Sequence, residues 1–231
     1  MWNGKKKALT ISMDDGILQD KRFIKLLNRY GLKATFNINS ELLGNSHTLW
    51  ANNSISVAHC KFRPEEVRAV YEGHEIAGHT LKHPRLTELE DAEVIRQVEE
   101  DRLRLSELAG YEVVGFAYPC GGVNYDSRVS ELVRNHTGAR YARTIVSNQS
   151  FDLQKDLFEF KPSCHFSRFS DSFALAEEFL ELTPDEPKLF YIWGHSYEFD
   201  IDDSWDKVEE LFRLISGRDD IFYGTNKEIL L

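Results

Sequence analysis

Short apolar segments alternate with helical segments along the chain, and this order constrains the fold more than any other feature. Eight segments have the apolar composition and turn-forming neighbours of buried strands: Ala8–Ser12, Ala34–Ile38, Glu75–Gly78, Val113–Ala117, Arg140–Thr144, Phe158–Lys161, Leu189–Trp193 and Ile221–Tyr223. Such an alternation is typical of a parallel sheet covered by helices. With about eight strands, it predicts an α/β fold of the barrel type.

The predicted helices have recognisable ends. Residues 17–30 carry apolar side chains at helical spacing, and Gly31 follows as a C-cap residue. Thr87 and Glu90 have the spacing of a capping box, which predicts a long charged helix from there to about Leu108. Polar capping residues open three later helices, at Asp126 or Ser127, at Ser170 or Asp171, and at Asp203 or Ser204. The stretch 40–63 lacks these patterns and is predicted to be a long irregular loop.

Length and charge narrow the class of protein. A chain of 231 residues suits a single domain spanning residues 1–231. With 28 Lys and Arg against 38 Asp and Glu, the net charge of -10 argues against a nucleic-acid partner. No segment is long enough to span a membrane. The acidic composition therefore favours a neutral or cationic substrate.

Cysteines and the N-terminus suggest a compartment. The three cysteines, Cys60, Cys120 and Cys164, are widely spaced and odd in number, which favours reduced thiols. The apolar run behind Lys5–Lys7 lasts only six residues before two aspartates, too short for a signal peptide. We therefore predict a cytoplasmic protein, although a leader that had already been removed would leave the same sequence.

Polar and reactive side chains follow several of the predicted strands. Asp14 and Asp15 follow the first strand, His79 and His83 the third, and His195 the seventh. The fourth strand is followed by Tyr118, Pro119, Cys120, Gly121 and Gly122. Active sites of barrels lie at the carboxyl ends of the strands. The sequence therefore predicts that these residues share one site.

The residue types at these positions suit a hydrolytic metal site. Two neutral histidines and one carboxylate bind a divalent transition metal well, and a second aspartate can serve as a base. Asp-Asp-Gly alone is a common turn, and a histidine pair spaced by four is alone a weak signal. Their joint position at strand ends is what favours a metal site. His195 is either a hydrogen-bonded core residue or a general acid, and we favour the acid.

Other candidates carry weaker signals. Glycines after the fourth strand are typical of a turn, but they also let backbone N–H groups face an oxyanion. A nucleophilic role for Cys120 is disfavoured because no spacing pairs it with a base. His165 is a candidate for the cleft, whereas surface or loop positions are expected for His47, His59, His74 and His136. Glu198 and Asp200 are either cleft residues or part of a solvated loop, and we favour the loop.

Together, these motifs resemble those of the polysaccharide deacetylase family, carbohydrate esterase family 4. Residues 11–16 resemble its T-F-D-D-G motif, which implies Asp14 as base and Asp15 as metal ligand. Residues 79–83 match its H-S/T-x-x-H motif, which implies two histidine ligands. Residues 117–121 match R-x-P-Y-G only in part, because Ala117 stands where the arginine that holds the base belongs. Either another arginine, Arg143 or Arg168, replaces it, or the base is tuned differently. Residues 193–195 resemble the final leucine-x-histidine motif, whereas the Asp-Trp motif has no clear counterpart around residues 158–166.

The resemblance implies a distorted, incomplete (β/α) barrel of seven or eight units and metal-dependent removal of acetyl groups from an N-acetylated sugar. Zinc is the expected ion, with cobalt or nickel as alternatives. Asp15, His79 and His83 would be the ligands, Asp14 the base and His195 the acid. Tyr118, Pro119, Cys120 and Gly121 would form the oxyanion or substrate-binding segment. Two alternatives remain open: hydrolysis of a small non-sugar amide or imide, and carbohydrate binding without turnover.

Overall fold

A computed structural model describes residues 1–52 and 54–231. These residues form ten strands: β1 Lys7–Asp14, β2 Thr35–Ile38, β3 Ser46–Trp50, β4 Ser56–Cys60, β5 Glu75–Gly78, β6 Gly115–Ala117, β7 Tyr141–Arg143, β8 Cys164–His165, β9 Lys188–Gly194 and β10 Ile221–Tyr223. They also form eight α-helices: α1 Asp20–Arg29, α2 Val67–Val70, α3 Asp91–Ala109, α4 Ser127–His136, α5 Phe169–Glu181, α6 Glu198–Ile201, α7 Trp205–Ile215 and α8 Asn226–Leu230. Among these helices, none has the length and apolar character needed to cross a membrane.

Eight strands form one parallel sheet in the order β7–β6–β5–β2–β1–β9–β8, with β10 also paired to β1. The sheet curls into a half-barrel with helices around it, which confirms the predicted distorted, incomplete (β/α) barrel. Because all its strands run in the same direction, their carboxyl ends lie at one edge of the sheet. The predicted site residues follow these strands in the sequence, so they are expected at this edge. The single-domain organisation stays a prediction.

Strand β1 is the centre of the sheet. One edge pairs with β9 over residues 7–13, and the other pairs first with β10 and then with β2. Every residue of β1 is buried, as expected for a parallel strand covered on both faces. The apolar side chains Leu9, Ile11 and Met13 join the largest core cluster, which also contains aromatic side chains from the helices. Burying one such side chain stabilises the folded state by roughly 1.5–3 kcal/mol relative to leaving it exposed to water.

One of the eight predicted strands is absent from the structure, whereas two others, residues 75–78 and 221–223, are strands at the predicted bounds. Residues 158–161 are not a strand, since Phe160 makes only an isolated bridge to Arg143. Pro162 follows directly and has no N–H to donate, so a continued ladder is disfavoured there. The chain joins the sheet later, as β8.

The predicted capping box at Thr87 and Glu90 is wrong. Helix α3 begins at Asp91, with Glu90 as its N-cap and no side-chain cap hydrogen bond. The Thr87 hydroxyl instead donates to the carbonyl oxygen of Val123 at 3.2 Å, so it is engaged with a neighbouring loop. The predicted cap at Asp126 is confirmed, because its carboxylate accepts the N–H of Val129 at 2.8 Å. Helix α5 begins at Phe169, slightly before its predicted start.

The stretch 40–63 is also not irregular as predicted. It contains the antiparallel hairpin β3–β4, in which Ser46 pairs with Cys60 and His47 with His59. Most of its side chains are exposed, so the strands lack the apolar alternation that identifies a half-buried strand. Toward its end, however, the hairpin approaches the carboxyl edge of the main sheet.

Replacing Gly115 with alanine should destabilise the protein. A Cβ at this buried position of β6 would lie 2.1 Å from the Tyr141 hydroxyl oxygen, which is itself bound to Glu75. We expect a loss of about 1–3 kcal/mol in the free energy of unfolding, measured by urea denaturation. Gly121→Ala is the matched control, because its Cβ would meet nothing within 4 Å. Equal stability of the two variants would contradict the close approach of β6 and β7.

Candidate active site

The predicted site residues meet at the carboxyl edge of the sheet. Asp14 ends β1, His79 follows β5, Tyr118 follows β6 and His195 follows β9. They line one cavity of about 230 Å³. The other lining residues are Asp15, His83, Cys120, Gly121, Ile145, Trp193 and Tyr197. Among the residues predicted to share the site, Pro119 and Gly122 are not part of the lining.

The turn after β1 explains the glycine of the Asp-Asp-Gly motif. Asp15 and Gly16 both have positive φ, at 84° and 64°, and the Asp15 N–H donates to the Asn37 carbonyl oxygen at 2.9 Å. A Cβ on Gly16 would lie 3.0 Å from the Ile38 side chain. Non-glycine residues rarely adopt positive φ, yet Thr80, His83 and Cys120 also do so beside the same cavity. Strained backbone of this kind concentrates at functional sites.

Asp14 is held by a buried arginine. Nη2 of Arg143 donates to Oδ1 of Asp14 at 2.6 Å and also contacts Oδ2, while the Asn37 amide donates to Oδ1 at 2.7 Å. Burial alone would raise the pKa of Asp14, but Arg143 and the neighbouring imidazoles outweigh it and hold that pKa below its usual value. Asp14 is therefore ionised at neutral pH.

Arg143 also resolves the missing arginine of the partial motif. Ala117 is the register partner of Arg143 on the adjacent strand, so the cation comes from β7 instead of β6. The guanidinium lies over the Trp193 ring, 4.2 Å from its centroid. Arg168, the other candidate, is exposed at the start of α5. Of the two expected replacements, the structure selects Arg143.

Asp15 is surrounded by groups from the hairpin that were not predicted. Lys61 Nζ lies 3.4 Å from Asp15 Oδ1, and His59 Nε2 lies 3.3 Å from Oδ2. Burial raises the pKa of Asp15, but Lys61 and the His59 hydrogen bond overcome this and hold it well below the usual value. The expected surface position of His59 is wrong, since it is buried against Asp15.

His74 is buried too, and its Nδ1 accepts the N–H of Ala34, whereas His47 and His136 are exposed as expected.

His79 and His83 present suitable donor atoms. His79 Nδ1 lies 2.9 Å from the Ala117 carbonyl oxygen, which fixes the proton on Nδ1 and leaves the Nε2 lone pair free. His79 Nε2 faces Asp14 and His83 Nε2 faces Asp15, each at 3.9 Å. Burial lowers the pKa of His79 to about 4 and lowers that of His83, so both rings are neutral near pH 7.

Donor atoms of Asp15, His79 and His83 lie within 4.8 Å of one another. A single ion can therefore contact all three residues without a large rearrangement. One ionised carboxylate and two neutral imidazoles are also the donor set that zinc and similar ions prefer. The residues present thus fit a divalent metal.

His195 is paired with a carboxylate. Its Nδ1 lies 3.3 Å from Oε1 of Glu198, while Oε2 of the same carboxylate lies 3.6 Å from Nε2 of His165. Burial lowers the pKa of His195, but Glu198, helped by Asp15 and Asp14, overcomes this and raises it to about 9. The expected loop role of Glu198 is wrong. His165 does not line the cavity, although its ring lies 6.0 Å from that of His195. Burial lowers the pKa of His165 to about 4.

The segment after β6 mainly forms part of the wall of the cavity. The Tyr118 hydroxyl points away from the cavity and donates to the Phe158 carbonyl oxygen at 2.8 Å. Cys120 Sγ lies 3.6 Å from Nδ1 of His83, so a basic group is adjacent to the thiol, contrary to expectation. Burial raises the pKa of Cys120, which keeps the thiol protonated and disfavours a nucleophilic role. The oxyanion role of this segment stays a prediction.

A family model described as polysaccharide deacetylase matches residues 2–142, more than half of the chain. The chain belongs to the polysaccharide deacetylase family. No curated protein sequence matches it significantly.

Solved structures share the fold of this family member at low sequence identity. The carbohydrate esterase domain of a multidomain xylanase from the hindgut metagenome of Trinervitermes trinervoides has a TM-score of 0.59 at 14% identity, covering 97% of this chain and 90% of that one. A family 4 carbohydrate esterase from Streptomyces lividans, in complex with acetate, has a TM-score of 0.58 at 14% identity, covering 96% and 92%. A family 4 pseudoenzyme from Bacillus anthracis has a TM-score of 0.55 at 13% identity, covering 98% and 66%. Structural similarity at this level of sequence identity shows a shared fold and does not show a shared activity.

Replacing Arg143 with methionine should destabilise the protein strongly, because Asp14 would keep a buried charge without its cation. We expect a loss of about 3–5 kcal/mol in the free energy of unfolding of the metal-free protein. The double variant Asp14→Asn, Arg143→Met should recover part of that loss, since no carboxylate is then left unpaired. Arg168→Met is the control and should change stability by less than about 0.5 kcal/mol, because the side chain is exposed. A loss below about 1 kcal/mol for Arg143→Met would contradict a buried ion pair.

Proposed function

We propose that this protein is a metal-dependent hydrolase that removes N-acetyl groups from an acetylated amino sugar or polysaccharide. The observation that carries the proposal is the arrangement of an ionised Asp14 and a protonated His195 around the Asp15, His79 and His83 donor set in one cavity. A base, an acid and a metal-binding triad are the groups that amide hydrolysis needs. Membership in the polysaccharide deacetylase family supports the reaction class.

Asp15, His79 and His83 would hold the ion, with zinc proposed first and cobalt or nickel as alternatives. When bound, such an ion lowers the pKa of a water molecule and polarises the acyl carbonyl. The tautomer of His79 supports this assignment, because the Ala117 carbonyl oxygen accepts the Nδ1 proton and Nε2 faces the site. Three protein donors leave room for water and substrate.

Asp14 would take the proton of the attacking water. Its Oδ2 lies 3.9 Å from Nε2 of His79, so the carboxylate borders the proposed ligands. Asp14 is not in the group whose donor atoms all lie within 4.8 Å of one another. Arg143 and Asn37 fix its orientation through hydrogen bonds to Oδ1. Fixed geometry of this kind reduces the reorganisation needed for proton transfer.

His195 would then protonate the leaving nitrogen. Its raised pKa keeps the imidazole protonated at neutral pH, and Glu198 orients the ring through Nδ1. Nε2 is then the atom that carries the transferable proton. The amine leaves neutral and the acetyl group leaves as acetic acid, which ionises in solvent. Before the next turnover Asp14 releases the proton that it gained to solvent, and His195 takes one up from solvent.

A second candidate is the hydrolysis of a small non-sugar amide or imide. The cavity of about 230 Å³ is small, and the β3–β4 hairpin borders the site through His59, whose ring lies 5.2 Å from that of Tyr197. Such a site suits a compact substrate as well as the end of a sugar chain. Fold membership does not distinguish the two.

The reaction is tested by acetate release from N-acetylated chitooligosaccharides. The protein is stripped of metal and reloaded separately with zinc, cobalt and nickel, and the stripped protein is the control. Acetate release that requires metal would support the sugar deacetylase. Stoichiometric metal binding without acetate release would contradict it and favour a small amide substrate or sugar binding without turnover.

Variants should separate metal binding from turnover. Asp14→Asn and His195→Ala should abolish turnover while metal content, measured by elemental analysis, stays near that of the unmodified protein. His79→Ala should lose the metal and with it the activity, because it removes one of three donors. Full activity in Asp14→Asn would show that another group is the base.

Glu198→Gln should shift the alkaline limb of the pH–rate profile to lower pH. An acid catalyst works only while protonated, so kcat/KM of the unmodified enzyme should fall above about pH 9, the pKa of His195. Without the Glu198 charge, burial dominates and His195 loses its proton at lower pH. Glu198→Asp keeps the charge and is the control. An unchanged alkaline limb in Glu198→Gln would argue against His195 as the acid.

A further inference from the structure

Lys61 is a buried lysine directly beside the proposed metal ligands. Its side chain is only 3% exposed, and its Nζ lies 3.4 Å from Oδ1 of Asp15. The same ammonium also donates to the Asp15 carbonyl oxygen and, at 3.1 Å, to Oδ1 of Asn39. It therefore has three protein oxygens as partners and is directed at the one carboxylate among the proposed ligands.

The charges around the cavity balance without a metal ion. Asp14 is paired with Arg143, Asp15 with Lys61, and Glu198 with His195. A divalent cation entering this site would therefore meet a ligand carboxylate, Asp15, that already has a cationic partner.

The backbone holds Lys61 in place. Its N–H donates to the Asn45 carbonyl oxygen at 2.8 Å, and the residue forms an antiparallel bridge with Ile17. The preceding Cys60 carbonyl oxygen accepts the N–H of Leu18 at 2.9 Å. The end of the hairpin is thus joined to the loop that follows Asp15. Because its main chain is fixed and its stem is buried, Lys61 has little freedom to move its charge away from Asp15.

We propose that Lys61 lowers the metal affinity of this site by competing with the ion for Asp15. A cation fixed against a ligand carboxylate withdraws electron density from its oxygens and repels an incoming dication, and both effects are strong where solvent is excluded. The result is a site that releases and exchanges its metal readily. This inference rests on the proposed function only in assigning Asp15, His79 and His83 as ligands.

The experiment measures zinc affinity by competition with a chromophoric chelator, which does not depend on turnover. Lys61→Met removes the charge and keeps an apolar stem of similar length, and we expect it to bind zinc at least about tenfold more tightly than the unmodified protein. Lys61→Arg keeps the charge and should stay within about threefold. Lys82→Met is the matched control, because it also removes one positive charge beside His83, but from an ammonium that is 61% exposed and bound to Glu41. It should leave the affinity nearly unchanged, since water screens that charge.

The zinc affinities of the variants either support or contradict the proposal. Tighter binding confined to Lys61→Met supports it, including the case in which only that variant binds zinc. Weaker or equal binding overturns it and makes Lys61 a residue that merely holds the Asp15 turn. If Lys61→Met does not fold, Lys61→Gln provides the same comparison, because its amide can still donate to the Asp15 carbonyl oxygen. Failure of the proposed function would be seen separately, as zinc-loaded protein that releases no acetate.

Discussion

The parallel pairing of β1 on both of its edges is the constraint on which the site depends. Because β9 pairs with β1 over residues 7–13 and β2 over residues 12–14, the carboxyl ends of several strands are fixed at the same level. The two aspartates then face groups delivered by β5, β7 and β9. A slip of one residue in β1 would turn Asp14 to the opposite face of the sheet. The backbone register of the sheet thus positions Asp14 and Arg143 on their strands and also the loops that carry the other site residues.

The sequence predicts the sheet well because a parallel sheet buries its strands on both faces and leaves a clear apolar signal. The positions of Asp14, Asp15, His79, His83 and His195 at strand ends follow from that signal. The structure brings these residues into one cavity, and their chemical roles stay predictions. What sequence reasoning missed lies in contacts between distant segments. His59 and Lys61 belong to an exposed hairpin without apolar alternation, and no local pattern shows that its last residues turn inward to Asp15.

The fold alone does not decide activity. Solved structures at 13–14% identity share this architecture, and they include esterases as well as a pseudoenzyme. Function therefore depends on individual side chains and their charges. Here burial keeps His79 and His83 neutral, whereas the ionised aspartates and the charged His195–Glu198 pair arise where specific partners outweigh burial. The partners of the two aspartates come from segments distant in the sequence, because Arg143 in β7 holds Asp14 and Lys61 after β4 holds Asp15.

The position of the Arg143 guanidinium beside Asp14 affects how related sequences are aligned and searched for. Ala117 and Arg143 are direct neighbours across two adjacent strands, so an arginine can be lost from one and gained on the other while it still reaches the same carboxylate. Position by position, an alignment would record two unrelated changes and a broken motif. In space the two positions are neighbours on adjacent strands. Searches for related enzymes that score this pair of positions jointly should recover sequences that a search for the linear motif discards.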